Sequence, residues 1–404
     1  MNHFIKLFAV SVIGLSVAST AQAAGYQLNE YSATGMGRSF AGMGVVGDDF
    51  SAIGYNPAGM SINKTSGAQL GSSLMVIHSH FRGTDGAGKS GRDHSIIARV
   101  MPSGFVQYKL SENLTAGLGI YVPYGLATDY PNDWFGNRHG VLSEITNTDI
   151  SPALAYQINP YFSVGASVNI QNSTARLTSA SSELKGDDWG VGYSVGLTVK
   201  PLENLRFGLS YRSKINHQLK GHASMGPFYG VDRAKITTPE TAILSGAWDV
   251  NDKWTLTGTA RWTRWKRFNT LNIISPAFSS ATGGLTDTVT TQEKWRNTGF
   301  YALGADYHAT QNWTFRGGIG YDMTVIRSAG YRTPRIPDGR RAWGSLGVSY
   351  TYQNMQFDLG YSRIWVFGGH ARGTDDLNTL IGGKPNIKYS SDANMLSLGI
   401  QYKF

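Results

Sequence analysis

Residue types that could carry chemistry are present in this chain, but not at spacings that would perform it. Among the histidines, His80, His94, His139 and His217 fall mostly in polar stretches or at the ends of apolar runs, and no serine and carboxylate accompany them at triad-like intervals. The stretch "GKSG" (88–91) lacks the upstream glycine that a phosphate-cradling loop requires. Cysteine is absent, and no set of histidines and carboxylates has the spacing of a zinc site. The stretch "GVVGDDFSAIGYNPAGM" (44–60) concentrates Asp48, Asp49 and Asn56-Pro57-Ala58, yet holds no nucleophile beside a base. The expectation is a protein that is not an enzyme and needs no metal or cofactor. What remains is recognition, and that depends on the elements that place these groups.

The chain opens with "MNHFIK", an apolar run "LFAVSVIGLSVA", and Ala21-Gln22-Ala23, a small-x-small cleavage pattern. Residues 1–23 therefore read as a secretory signal peptide, with the mature chain starting at Ala24. No later window is apolar enough for a spanning helix. An exported chain without cysteine must take its stability from packing or from a closed hydrogen-bonded sheet. The formal charge is +9, but the basic residues are scattered and the chain is exported. That argues against nucleic acid and for anionic lipid headgroups or anionic substrates. Gly 50, Tyr 21 and Trp 10 are high while charged residues are 16%, which excludes disorder. Many short strands with aromatic residues at two membrane interfaces account for both features.

The periodicity agrees. In "MLSLGIQYKF", Leu396, Leu398, Ile400, Tyr402 and Phe404 share one parity, while Ser397, Gly399, Gln401 and Lys403 share the other. "WTLTGTARW" likewise sets Trp254, Leu256, Gly258, Ala260 and Trp262 against Thr255, Thr257, Thr259 and Arg261. Segments of this kind are centred near residues 72, 104, 118, 154, 167, 193, 210, 245, 259, 301, 318, 347, 362 and 399. The fold class is thus all-β: a transmembrane antiparallel β-barrel of about 14 strands over 61–404. Short polar turns such as "QINPY" (157–161) and "DVNDK" (249–253) read as periplasmic. Polar stretches near 78–95, 123–149, 218–239, 268–294, 325–341 and 369–392 read as extracellular loops, "GTDGAGKSGRDH" among them as a flexible one. Residues 24–60 do not alternate cleanly and are rich in Gly, Ala and Ser. They read as a compact hatch inside the lumen, with Glu30, Arg38, Asp48 and Asp49 available to pair with polar groups of the wall.

At this point a resemblance becomes specific. "AGYQLNEYSATGMGRSFAG" (24–42), "NPAGM" (56–60), the long block "VPYGLATDYPNDWFGNRHGVLSEITNTDISPALAYQIN" (122–159), "NWTFRGGIGYD" (312–322) and "IPDGRRAWGSLGVSYTY" (336–352) resemble the FadL/OMPP1 family of outer-membrane transporters of long-chain fatty acids and other hydrophobic compounds. The resemblance covers essentially the whole mature chain. It implies a fourteen-stranded barrel with an N-terminal hatch, a shallow groove among the outer loops, a deeper pocket near the hatch, and a kinked third strand that opens a lateral exit. It implies passive diffusion in the outer membrane of a Gram-negative bacterium, with no cofactor.

On that footing Val122, Pro123, Tyr124, Leu126, Trp134 and Phe135 are expected to receive the acyl chain, and Tyr26 to reach the deep pocket. Arg176 is the expected partner for a carboxylate, ahead of Arg212, Lys214, Arg332, Arg340 and Arg341. Asn56, Pro57 and Ala58 are expected at the junction of hatch and wall, with the Asn56 amide meeting backbone of the kinked strand. Expected partners are the hydrophobic substrate, lipopolysaccharide and outer-membrane lipid, and the barrel assembly machinery through Phe404, the chain itself being a monomer. The rival readings are uptake of aromatic or aliphatic hydrocarbons by the same route, a polar-solute porin and a barrel enzyme.

Overall fold

The computed structural model describes residues 25–404, so the expected signal peptide and the cleavage before Ala24 lie outside the described residues. Fourteen strands form one antiparallel ring. They are β1 (Gly67–Thr84), β2 (Ser90–Lys109), β3 (Leu114–Asp129), β4 (Leu142–Asn159), β5 (Phe162–Thr178), β6 (Ser182–Leu202) and β7 (Leu205–Arg212). The ring continues with β8 (Thr241–Asn251), β9 (Trp254–Thr263), β10 (Thr298–His308), β11 (Trp313–Asp322), β12 (Arg340–Tyr352), β13 (Met355–Phe367) and β14 (Asn386–Lys403). The ring closes where β1 pairs with β14 in unbroken register from Gly67↔Lys403 to Thr84↔Asn386. Closure leaves no open edge for hydrocarbon to meet, which is the condition for a sheet to span a bilayer.

The alternation sorts chemistry between the two faces. Leu398, Leu256 and Ile319 are exposed on the outside, and Ser397, Thr257 and Gln401 are buried inside. A soluble sandwich would do the reverse. Trp254 and Trp262, at the two ends of β9, are both exposed, as aromatic girdles require.

Every segment centre read from the periodicity falls within one of the fourteen strands. The loop reading needs correction. β1 and β2 run on to Thr84 and Ser90, so "GTDGAGKSGRDH" is the tip of a tall hairpin rather than a flexible loop. The Asp85 carboxylate closes its turn by accepting from the Ala87 and Lys89 amides at 2.8 and 2.9 Å. The stretches near 218–239 and 268–294 contain further strands, Ile215–Met225 paired with Phe228–Thr238 and Thr270–Ile274 paired with Thr288–Gln292. Their polar composition hid them, because they rise beyond the lipid and need no apolar face.

β3 departs from the ring. Its ladder with β2 ends at Gly104↔Ile120, and its register with β4 slips between Tyr121 and Tyr124. From residue 121 to 128 the alternation stops and every residue is buried, so this half of the strand has moved inward. Pro123, which has no N–H to give a neighbour, sits in the slip. The displaced backbone finds an inner partner: Gly125 N–H donates to Tyr26 O at 2.7 Å and Leu28 N–H to Pro123 O at 2.8 Å.

The segment from Gly25 to Ser61 includes short helices at Ala33–Gly37 and Ala52–Tyr55 and a 3-10 turn at Pro57–Ser61. It packs on inward-facing residues around the ring. Its backbone is held by Ser73 of β1, Ser103 of β2, Ser210 of β7 and Thr259 of β9. Glycines permit the close approach: a Cβ on Gly37 would lie 2.8 Å from the Gly347 Cα of β12. The outward apolar belt gives a first test. Leu398→Arg should cost about 2–4 kcal/mol near the bilayer centre, read by denaturant unfolding from lipid vesicles, and an unchanged midpoint would contradict the lipid-facing assignment.

Candidate functional site

Two cavities lie on either side of the paired backbone of Tyr26–Leu28 and β3. The outer one, about 60 Å3, is bounded by the extracellular strand ends and the loops above them. Its walls are chiefly aliphatic and aromatic, with Leu126, Ile145, Leu219, Ile236, Phe268 and Ile336 prominent. The inner one, about 20 Å3, is more polar and is lined by Gln27, Tyr124, Arg212 and Arg261 among others. An apolar lining with a few placed polar groups is the kind that receives small organic ligands.

An aromatic septum stands between them. The Tyr26 ring sits 4.7 Å from Trp265, 5.9 Å from Tyr124 and Trp295, and 6.0 Å from Phe268, mostly edge to face. Such pairs are each worth about 0.5–1.5 kcal/mol beyond their burial. The Tyr124 hydroxyl donates to Pro239 O at 3.1 Å, tying the displaced β3 to the opposite wall.

A few polar groups face the outer cavity. The Glu293 carboxyl accepts from the Trp295 indole N–H at 2.9 Å, and burial pushes its pKa up to about 8. His139 contacts Asp85 O at 2.7 Å and Thr374 Oγ1 at 3.2 Å, and burial lowers its pKa, favouring the neutral ring. The Arg335 guanidinium donates to Thr178 O, Ser143 Oγ and Leu142 O at 3.0, 3.1 and 3.3 Å.

The expected site residues divide accordingly. Leu126 lines the outer cavity, Pro123 and Tyr124 the inner one, and Tyr26 forms the septum. Val122 is buried in the packing around the N-terminal segment. Trp134 and Phe135 lie elsewhere: they stack with Phe81 and Tyr130 in a separate aromatic cluster, and Trp134 Nε1–H donates to Gly140 O at 2.9 Å. There they brace the loop after β3, apart from the linings of the two cavities. Arg176 also lies apart from the cavity linings. Strand parity turns it outward, away from its cavity-lining neighbours Ala175 and Leu177, and it pairs with Glu183 at 2.8 Å.

Asn56 donates from Nδ2 to Leu197 O of β6 at 3.1 Å, not to the displaced β3 as expected. Its Oδ1 accepts from Ala58 N–H at 3.2 Å and so starts the turn that Pro57 opens. A Cβ on Gly196 or Gly165 would collide with Asn56 or with the Pro57–Ala58 backbone, so these wall glycines are the seat of the turn. Asp48 is shared by Arg38 at 2.8 Å and Arg316 of β11 at 3.1 Å, and Arg38 also meets Asp306 of β10 at 2.8 Å. Asp49 instead accepts from Ser32, Thr34 and Ser51 within the segment itself. Phe268, Glu293 and Arg335 escaped the sequence reading because they lie in stretches taken as polar loops, and Trp265 and Trp295 because they flank one of these. The signal was there in "WTRWKRF" and "QEKW", whose indoles have no reason to stand in a solvated loop.

A closed barrel with an apolar outer belt, a packed inner segment and an apolar cavity at its extracellular end is an architecture suited to an outer-membrane transporter. Comparison with known proteins agrees. Residues 14–404 match the family described as outer membrane protein transport protein (OMPP1/FadL/TodX), and the chain belongs to that family. It is 26% identical to the long-chain fatty acid transport protein of an Escherichia coli strain, over 88% of this chain and 91% of the relative. Its fold matches the crystal structure of a Pseudomonas aeruginosa FadL homologue with a TM-score of 0.85 and 26% identity, covering 94% of this chain and 100% of the other. It also matches the fold of the Ralstonia pickettii toluene transporter TbuX, with a TM-score of 0.68 and 17% identity over 93% and 99%. The protein resides in the outer membrane of a Gram-negative bacterium and serves the uptake of hydrophobic small molecules.

Glu293 gives this site a pH signature. Its folded pKa is raised above the ordinary 4.5, so the folded state keeps a proton that the unfolded chain has released. Its contribution to stability therefore falls as pH rises from about 4.5 to about 8 and is flat beyond. Glu293→Gln should flatten that part of the pH profile of thermal unfolding, and an unaltered profile would count against the buried, protonated carboxyl.

Proposed function

We propose that this chain takes up long-chain fatty acids by passive diffusion, with the N-terminal segment as a hatch and the displaced half of β3 as the side exit. The observation that carries the reading is the position of one backbone pairing. Tyr26–Leu28 is bonded to β3 where β3 has left β2, and that same pairing stands between the two cavities. Movement of this short strand would join the outer cavity to the inner one and to the gap in the wall together.

The chemistry suits the cargo. Each methylene of an acyl chain gains about 0.8 kcal/mol on leaving water, so an apolar cavity captures what a water-filled pore would reject. A side exit spares the chain a crossing of the polar lumen. The fatty-acid name of the Escherichia coli relative supports this reading. A fold neighbour that is a toluene transporter, and the apolar lining, support the second one, an aromatic or aliphatic hydrocarbon by the same route. A polar-solute porin fits poorly, because residues 25–61 pack on the inner wall where its water path would run. In this reading the protein acts as a monomer. Its outer belt meets membrane lipid and lipopolysaccharide, and Phe404 serves recognition by the barrel assembly machinery.

Two measurements test the proposal. Deletion of residues 24–55 should turn a protein of low conductance into an ion channel in planar bilayers, and unchanged conductance would refute the hatch. Radiolabelled oleate should bind the purified protein saturably. Toluene binding that oleate does not compete would move the assignment to hydrocarbons.

A further inference from the structure

We propose that Arg335 is the group that reads the carboxylate of the cargo, and so sets the preference for an acid over a neutral hydrocarbon. The inference rests on the fatty-acid reading above. It starts from an imbalance in the outer cavity. Most arginines turned to the barrel interior are matched by acids: Arg38 by Asp48 and Asp306, Arg212 by Asp149, Arg341 by Asp338. Arg335 has no carboxylate within 4.0 Å among the described residues.

Its recorded hydrogen bonds all leave from one nitrogen, Nη1, and go to neutral oxygens at the ends of β4 and β5. The planar guanidinium has further N–H donors on Nε and Nη2, and a two-pronged face of this kind matches a carboxylate. Two acids lie nearby. Asp375, on the same cavity, acts on the guanidinium only from beyond 4.0 Å, and its oxygens accept from Asn378 at the start of the helix Asp376–Gly382. Glu293 is bonded to the Trp295 indole. The carboxylate would bring the missing negative charge, and its chain would lie along the aliphatic wall.

The guanidinium is held in place from behind. The main chain is tied by the Tyr130 hydroxyl to Pro334 O at 2.6 Å and by Thr128 Oγ1 to Arg335 O at 3.2 Å. A Cβ on Gly140 would stand 3.1 Å from the Arg335 Cγ and 3.3 Å from its guanidinium carbon, so Gly140 leaves the room in which this side chain lies. A larger residue at 140 would displace the cation without removing it.

The test compares two ligands that differ only at the head: oleate and oleyl alcohol, bound at equilibrium to the purified full chain in nanodiscs. Wild type should prefer oleate. Arg335→Gln should weaken oleate by on the order of ten- to a hundredfold, the range expected for a charge-assisted pair, and leave oleyl alcohol unchanged. Arg335→Lys should restore part of the difference, and Gly140→Val should reproduce the selective loss. Equal losses for both ligands, or no change for oleate, would overturn the proposal and leave Arg335 as a tie between strand ends. A wild type that binds both ligands equally well would overturn the carboxylate-reading role alone. A wild type that binds neither would overturn the fatty-acid reading on which it rests.

Discussion

Backbone amides and carbonyls have no water to turn to inside a bilayer, and this structure is organised around meeting that demand. Thirteen of the strand pairings around the ring do so in the ordinary way, by neighbour-to-neighbour ladders closed between β1 and β14. The fourteenth, between β2 and β3, runs only from Lys109↔Thr115 to Gly104↔Ile120. Beyond it the β3 backbone must be satisfied from elsewhere, and Tyr26 and Leu28 supply the partner from inside. The gap in the wall and the anchoring of the N-terminal segment are therefore one feature. Neither would be tolerable in hydrocarbon without the other.

A second demand follows from the first. Fourteen strands enclose more space than their own side chains fill, and the inner face is built to bind a segment rather than water. Serine and threonine hydroxyls reach up to main-chain groups, and glycines clear room for backbone on backbone. The cluster of Arg38, Asp48, Asp306 and Arg316 fixes the segment by charge at its periplasmic side. A buried pair of this kind adds less stability than its Coulomb attraction implies, since both ions are desolvated, but removing one partner strands the other at a cost of about 3–5 kcal/mol. Its contribution is to position: the four charges face one another across segment and wall.

The barrel was legible because lipid outside and polar packing inside impose a strict period of two on every spanning strand. Leu398 against Ser397 carries that information without reference to any neighbour. Above the membrane the rule lapses. The strands Ile215–Met225 and Phe228–Thr238 have solvent on one side, so their sequence looks like loop. The site was legible only in part, for a related reason. Leu126 and Tyr124 belong to β3 and could be placed by its position, whereas Trp134, two turns of chain later, gives no sign of which side of the loop it faces. The position of Arg176 turns on a single step of parity: Ala175 and Leu177 line the outer cavity, and the residue between them faces the other way. Arg335 could not be singled out at all, because its distinction is the acid it lacks, which is a fact of tertiary structure.

The seam between Tyr26–Leu28 and β3 consists of two main-chain hydrogen bonds at 2.7 and 2.8 Å, flanked by packed rings. Nothing in it is directional. A contact that opens at a given free-energy cost for a molecule moving inward opens at the same cost for one moving outward. On the proposed route, net flux would be set by the difference in chemical potential between its ends, so accumulation would depend on whatever consumes or traps the cargo on the inner side. The protein would fix how fast that balance is reached, and the cell which way it lies.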